Sequence, residues 1–346
     1  MKKTMKAAVI VAPEKVEIRE LPVPEPGRGE ILVRQHACAI CTMEQRVFKG
    51  ILKLPYPGCW GHEVSGVVEK VGEGCETSLK PGDHVVLGAG MFCGQCYYCA
   101  TGHDVACTQR HALPQVAGIT GIFGMAEYAV VRSDRAVKVA DDLPFEEAAF
   151  AEPVSCVVQS ANKLNIQLGE TVVVIGAGTM GLLNLMVSQL RGAKVIVSEI
   201  DPARRQKALE LGAHAVIDPT AGPAGEQVRQ LNDGRGADVV IVAIGNGKAN
   251  EDALKMVGPQ GRVMLFASAH PATPLTIDPN FIHHSGIWIT GSSGKNYKDL
   301  WQAALLLSAR LVKPRPLIED IYPLDRAEEA LRRASSGGTY RLVLTM

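Results

Sequence analysis

The sequence predicts an α/β protein in which a doubly wound parallel sheet is inserted into a β-rich unit. Three observations lead there. Short apolar segments separated by Pro and Gly turns fill roughly the first 150 residues. From Thr171 onward, continuous apolar strands alternate with amphipathic helical stretches. The last fifty or so residues return to a mixed texture.

The individual elements follow from local pattern. AAVIV near the N-terminus reads as a strand, followed by EILVRQHA, VSGVVEKVG, DHVVLGAG and EYAVVRSD, with turns such as PVPEPGRGE and LKPGD between them. Strands spaced in this way predict a folded-over sheet or barrel rather than βαβ units. The texture changes near Ala151. TVVVIG then leads into a helix over TMGLLNLMVSQLRG, KVIVSEI into PARRQKALELG, and AVID into a helix near EQVRQLN. DVVIVAIG, a helix near ANEDALKMV and GRVMLFA continue the alternation, which is expected to close near ITG at 289–291. The helix DLWQAALLLSAR, the segment PLDRAEEALRRASS and the strand YRLVLTM are expected to return and pack on the first unit.

A chain of 346 residues suits two domains. Lys plus Arg equals Asp plus Glu at 36 each, so no charge excess favours nucleic acid, an anionic membrane or a basic partner. The expected partner is a small molecule. No apolar run approaches the roughly 20 residues of a membrane span, and the N-terminal MKKTMKAAVIV lacks the apolar length and cleavage site of a signal peptide. The expected compartment is therefore the cytoplasm, where thiols stay reduced. Four of the nine cysteines crowd into Cys93 to Cys107, which in a reducing compartment points to metal.

Three constellations carry chemistry. Gly176-Ala177-Gly178-Thr179-Met180-Gly181 follows a strand directly and opens a helix. In that context the first glycine makes the turn and the second admits a pyrophosphate. The third allows close helix–strand packing, and the helix N-terminus favours phosphate. Glu199 lies where a carboxylate binds the ribose hydroxyls and repels a 2′-phosphate, predicting NAD over NADP, although Arg204 and Arg205 nearby leave dual specificity open. Cys93, Cys96, Cys99 and Cys107 form a C-x2-C-x2-C-x7-C pattern, with Gly94 and Gly102 at turns. Four such thiolates can close a tetrahedral structural zinc site, with free thiols or an iron–sulfur cluster as the other readings. A second metal site has candidates in Cys41, His62, Glu63 and Glu152. Each also reads otherwise: Cys41 with Cys38 as a redox C-x-x-C, His62 as a core histidine, Glu152 as a helix start before Pro153.

Taken together, GHE at 61–63, the cysteine lobe, GDHV at 82–85, MAEYAVV at 125–131, EP at 152–153 and GAGTMG at 176–181 resemble the zinc-dependent medium-chain alcohol dehydrogenases over essentially the whole chain. Within them, the resemblance is to the sorbitol and threonine dehydrogenase branch. It implies a GroES-like catalytic domain over 1–155 with a structural zinc lobe at 93–107. A Rossmann NAD-binding domain over 156–292 follows, and a segment 293–346 returns to the catalytic domain. It further implies a catalytic zinc at Cys41 and His62, with Glu63 and Glu152 as direct or water-mediated carboxylate partners, hence two zinc ions per chain. Homotetramers or homodimers are the implied assembly. The implied reaction oxidises the secondary alcohol of a polyol, cyclitol or sugar-like substrate to a ketone, with an amino-alcohol dehydrogenase or a non-catalytic zinc- and nucleotide-binding protein of the same fold as the alternatives; zinc acts as Lewis acid and the nicotinamide accepts hydride.

One departure bears on the proton. The family reads C-G-[ST]-D after the zinc cysteine, and the hydroxyl starts a relay; here the stretch is Cys41-Thr42-Met43-Glu44, with Arg46 where liver-type enzymes place a relay histidine. A thioether neither donates nor usefully accepts a proton. The expected path therefore runs through a carboxylate among Glu44, Glu63 and Glu152, with Glu63 preferred.

Overall fold

The computed structural model describes residues 2–88, 90–269 and 271–346. Residues 1–155 and 295–346 form one unit and residues 156–294 the other. Ala89, inside the DHVVLGAG segment, lies outside the described residues; the strand there runs His84–Leu87.

In the first unit, the strand Glu30–Ala39 organises one of two sheets. Along one edge it pairs antiparallel with Glu63–Val71, setting Ala39 opposite Glu63 and Cys38 opposite Val64. Along the other, Tyr128–Arg132 pairs with its first half, and the terminal strand Arg341–Thr345 with its last, setting Val343 opposite Ala39. The chain end thus closes the sheet begun near residue 30. The register decides the site, because it brings the end of one strand (leading to Cys41), the start of a second (Glu63) and the start of a third (Arg341) to one sheet end. Alternation is weak because both faces are covered: Ile31, Leu32 and Val33 are consecutive and fully buried. They pack in a cluster with Ile40, Phe48, Trp60 and Met125. Burying side chains of this size stabilises by about 1.5–3 kcal/mol each, so the strand ends are held on a rigid base.

The second unit is a six-stranded parallel sheet. Its order is Ala215–Ile217, Lys194–Ser198, Thr171–Ile175, Ala237–Val242, Val257–Leu265 and Trp288–Gly291. Counting strands along this unit, the order is 3-2-1-4-5-6, the doubly wound arrangement whose strand direction of addition reverses beside the first strand. The β-branched runs Val172–Val174 and Val239–Val242 are buried completely, as strands covered on both faces require. Helix Thr179–Leu190 buries Leu182, Leu183, Leu185 and Val187, and so is apolar on more than one face. Helix Pro202–Glu210 starts where Asp201 accepts from the Ala203 and Arg204 amides and Pro202 fills the first helical position.

Candidate active site and metal centres

Cys41 is the N-cap of the short helix Thr42–Phe48, and Glu44 one turn on reaches back to accept from the Cys41 amide at 3.0 Å. The same carboxylate, fully buried, accepts from His62 Nδ1 at 2.7 Å and from the Gly61 amide at 3.2 Å. A proton on Nδ1 directed at a carboxylate leaves Nε2 as the free lone pair of the ring, the arrangement typical of metal-binding histidines. Burial opposes charge on His62, yet Glu44 and Cys41 outweigh it and raise its pKa. Glu44 is therefore occupied in aligning Cys41 and His62, and its lack of exposure keeps it from direct contact with solvent.

Glu63 and Glu152 supply the remaining carboxylates, and each is matched to a buried cation. Arg341 engages Glu63 through both guanidinium edges: Nε donates to Oε2 at 2.9 Å and Nη2 donates to Oε1. Burial pushes the Glu63 carboxyl up and outweighs the opposing pull of Arg341. Burial likewise opposes the Arg341 charge, but Glu63, Cys41 and Glu152 raise its pKa. Lys295 Nζ donates to Glu152 Oε1 at 2.5 Å, and Glu152 Oε2 lies 4.0 Å from His62 Nε2. Burial pushes the Glu152 carboxyl up, but Lys295 and His62 prevail and bring it to about 2.

Donor atoms of Cys41, His62 and Glu63 lie within 4.8 Å of one another. Thiol, imidazole and carboxylate so placed fit a zinc-like cation, with Glu152 Oε2 approaching from the His62 side. A cavity of about 800 Å³ has His62 in its wall, and charges of both signs, including Arg28, Glu76, Arg132 and Asp134, line it further out.

The cysteine lobe has the dimensions of a closed site. Zinc–sulfur bonds of about 2.3 Å in a tetrahedron place sulfurs about 3.8 Å apart. Here Cys96–Cys99 and Cys93–Cys107 are 3.6 Å apart, and Cys93–Cys99 and Cys96–Cys107 are 3.9 Å apart. These separations exceed a disulfide bond of about 2.05 Å and leave room for one ion rather than a cluster. Gly94 and Gly102, both at φ +76°, make the turns. Amides of Cys99 and Thr108 pull the Cys96 thiol down to about 6, toward the thiolate a metal requires.

In the second unit, the three glycines of the fingerprint have three distinct geometries. Gly176 turns the chain at φ +97° just past the strand Thr171–Ile175. A Cβ on Gly178 would meet nothing within 4 Å, which leaves the helix N-terminus open to a ligand. A Cβ on Gly181 would lie 1.8 Å from the Gly176 carbonyl oxygen, so only glycine permits that helix–strand approach. Glu199, one residue beyond its strand, accepts from the Ala177 amide at 2.7 Å and the Asp201 amide at 3.0 Å. Its carboxylate is thereby fixed beside the glycine turn. Arg205 is directed elsewhere, to the Glu199 and Ile200 carbonyls and to Asp218 Oδ2 at 3.0 Å. These features fit a dinucleotide.

Sequence reasoning overlooked Lys295 and Arg341. Neither is a metal-ligand type, neither belongs to a spaced motif, and Arg341 lies 278 residues from Glu63. The one available signal was a basic residue within an apolar terminal strand, where burial demands a counter-charge.

The same sheet, glycine turn and donor clusters define a zinc- and nucleotide-dependent dehydrogenase, and comparison with known proteins agrees. Residues 27–141 match the alcohol dehydrogenase GroES-like domain, and residues 179–310 match the zinc-binding dehydrogenase domain. The L-threonine 3-dehydrogenase of Pyrococcus horikoshii is 33% identical over 340 residues, 95% of each chain. The sorbitol dehydrogenase of Bacillus subtilis is 29% identical, covering 95% of this chain and 93% of its own. A Sinorhizobium meliloti 1021 protein solved with NADP bound superposes over the full length of both chains with a TM-score of 0.89 at 26% identity. The chain belongs to the zinc-dependent medium-chain alcohol dehydrogenase family and is an oxidoreductase of small-molecule alcohols that uses zinc and NAD(P). Among the described residues, no helix is long and apolar enough to cross a membrane.

Proposed function

We propose that this enzyme oxidises a secondary alcohol of a polyol, cyclitol or sugar-like substrate to a ketone with NAD. The observation that carries the reading is the Cys41–His62 cluster flanked by two buried carboxylate–cation pairs. In this reading Cys41 and His62 hold the catalytic zinc, with Glu63 and Glu152 as direct or water-mediated carboxylate partners, and the four lobe cysteines hold a structural zinc. Bound there, zinc supplies the Lewis acidity that favours the alkoxide, and the nicotinamide supplies the hydride acceptor. The chain's own residues do the rest. Glu44 fixes the His62 ring, Arg341 fixes Glu63, and Gly176, Gly178, Thr179, Met180 and Gly181 present the helix N-terminus to the pyrophosphate. The half-buried Met43 offers no relay hydroxyl, so a proton leaves by way of a carboxylate or water beside the cluster. The mixed charges lining the cavity suit a substrate rich in hydroxyl groups. The sequence likeness to threonine dehydrogenases supports an amino alcohol as the second reading. None of the nine cysteines is disulfide-bonded, in keeping with a cytoplasmic enzyme, here proposed as a homotetramer or homodimer.

Following NADH absorbance with linear polyols, cyclitols, amino alcohols and simple alcohols tests the reading. Turnover is expected on polyhydroxylated secondary alcohols; turnover confined to threonine-like substrates establishes the second reading, and no turnover on any of them sinks both.

Cofactor choice yields a separate expectation. NAD should be preferred over NADP, because the fixed Glu199 carboxylate accepts from the ribose hydroxyls and repels a 2′-phosphate. In Glu199→Ala, the ratio of kcat/KM for NAD to that for NADP should fall by about tenfold or more, corresponding to at least about 1.4 kcal/mol of differential binding. Equal use of both cofactors by the unaltered enzyme overturns this account.

A further inference from the structure

Lys295 is a buried cation bonded to the carboxylate that approaches the metal-binding cluster. Its neighbours pin it. The Asn296 amide donates to Asp299 Oδ2 at 3.0 Å, and the Tyr297 amide donates to Asp104 Oδ2 at 2.8 Å. Both Lys295 and Glu152 are more than nine-tenths buried, so the ammonium has little water to turn to if it leaves the carboxylate. The two oxygens of Glu152 consequently differ: Oε1 is held at 2.5 Å by Lys295, whereas Oε2 faces His62 Nε2 at 4.0 Å.

The surrounding charges give this asymmetry a consequence. Glu44, Glu63 and Glu152 are three carboxylates set against two cations, Lys295 and Arg341. Removing the Lys295 charge leaves three against one, which attracts a divalent cation more strongly, and it frees Oε1 for bidentate donation. With Lys295 present, Glu152 offers one oxygen whose charge is already shared with an ammonium.

We infer that Lys295 is a positioning residue that restricts Glu152 to a single donor oxygen and so holds the metal at the Cys41–His62 cluster more weakly than its donor set alone would. A cation given less negative charge by its ligands polarises an alcohol more strongly, which relates this restraint to turnover. The inference rests on the reading of that cluster as the catalytic zinc site.

The test measures zinc affinity by chelator competition on the full-length chain, together with metal-free thermal stability. In Lys295→Met the second zinc should bind about tenfold or more tightly, the range over which partners of metal ligands act, while metal-free stability falls because Glu152 loses its Lys295 ion pair. Lys295→Gln, which keeps a hydrogen-bond donor without charge, should move affinity in the same direction, and Lys295→Arg should restore the original affinity. Glu152→Gln should weaken zinc and abolish the effect of Lys295→Met in the double variant. A residue with a merely structural role would lower stability and zinc affinity together. Unchanged or weaker zinc binding in both Lys295→Met and Lys295→Gln overturns the inference while leaving the cluster reading intact. An unaltered protein that binds zinc only in the cysteine lobe overturns the cluster reading itself.

Discussion

Replacing Cys99 with serine should remove one of two zinc ions per chain and lower stability markedly. Cys99 lies 3.6 Å from Cys96 and 3.9 Å from Cys93, so its sulfur bounds two edges of the same tetrahedron. A serine hydroxyl is shorter, harder and almost never ionised at neutral pH, and three thiolates bind zinc far less tightly than four. Within the lobe from 93 to 107, the four-residue helix Tyr97–Ala100 contributes no buried side chain and Tyr97 is 76% exposed, while Asp104 ties the lobe to the Tyr297 amide. Because structural zinc contributes about 10–16 kcal/mol of apparent binding free energy in small folded modules, its loss should unfold the lobe. Elemental analysis should fall from two zinc ions to one, and calorimetry should show a lower Tm; chelation of the unaltered protein should reproduce both changes. A variant that keeps two zinc ions and its full Tm would exclude a structural metal here.

Glu63→Gln is expected to lower both turnover and stability, for a reason visible only once Arg341 is placed opposite it. The amide cannot reproduce the doubly hydrogen-bonded ion pair, and it leaves a guanidinium buried at 6% exposure without its counter-charge. Breaking one side of a buried pair costs about 3–5 kcal/mol, whereas replacing both sides by apolar groups is often nearly neutral. The double variant Glu63→Gln, Arg341→Met should accordingly recover most of the stability lost by the single one. Turnover should recover in neither, because the negative charge beside the metal-binding cluster is gone from both, while zinc content stays near two. Chemical denaturation and NADH-linked kinetics on the same preparations separate the two effects. Full activity in Glu63→Gln would remove Glu63 from the chemistry altogether. The pairing also qualifies the idea of Glu63 as a freely moving proton carrier, since any rotation of its carboxylate must first surrender the guanidinium.

The contrast between Glu63 and Glu44 shows where reading the chain alone reaches its end. As letters, both are carboxylates close to an expected ligand, and the sequence favoured Glu63 to carry the proton. In the fold, Glu44 accepts from Cys41, Gly61 and His62 together, so it orients the site, and Glu63 forms a salt bridge. Cys-x-x-Glu at 41–44 is a local unit in the fold, because an N-cap and its partner three residues later interact within one helical turn. The role of that turn in aligning His62 was not legible, because it depends on a strand twenty residues further on.

What the sequence determined by itself was everything governed by short-range rules. Continuous β-branched strands alternating with helices specified the parallel sheet, the glycines at 176, 178 and 181 specified the dinucleotide turn, and four cysteines in fifteen residues specified a lobe of converging thiols. Each of these depends on residues within one turn or one βαβ unit, where spacing and geometry coincide. What only the tertiary structure decided was the charge balance around Cys41 and His62. Antiparallel pairing of Glu30–Ala39 with both Glu63–Val71 and Arg341–Thr345 brings Arg341 to Glu63, and the loop before Tyr297–Ser308 brings Lys295 to Glu152. Buried charges need counter-charges in space, not at any fixed interval along the chain, so their partners become visible only when the sheet is closed.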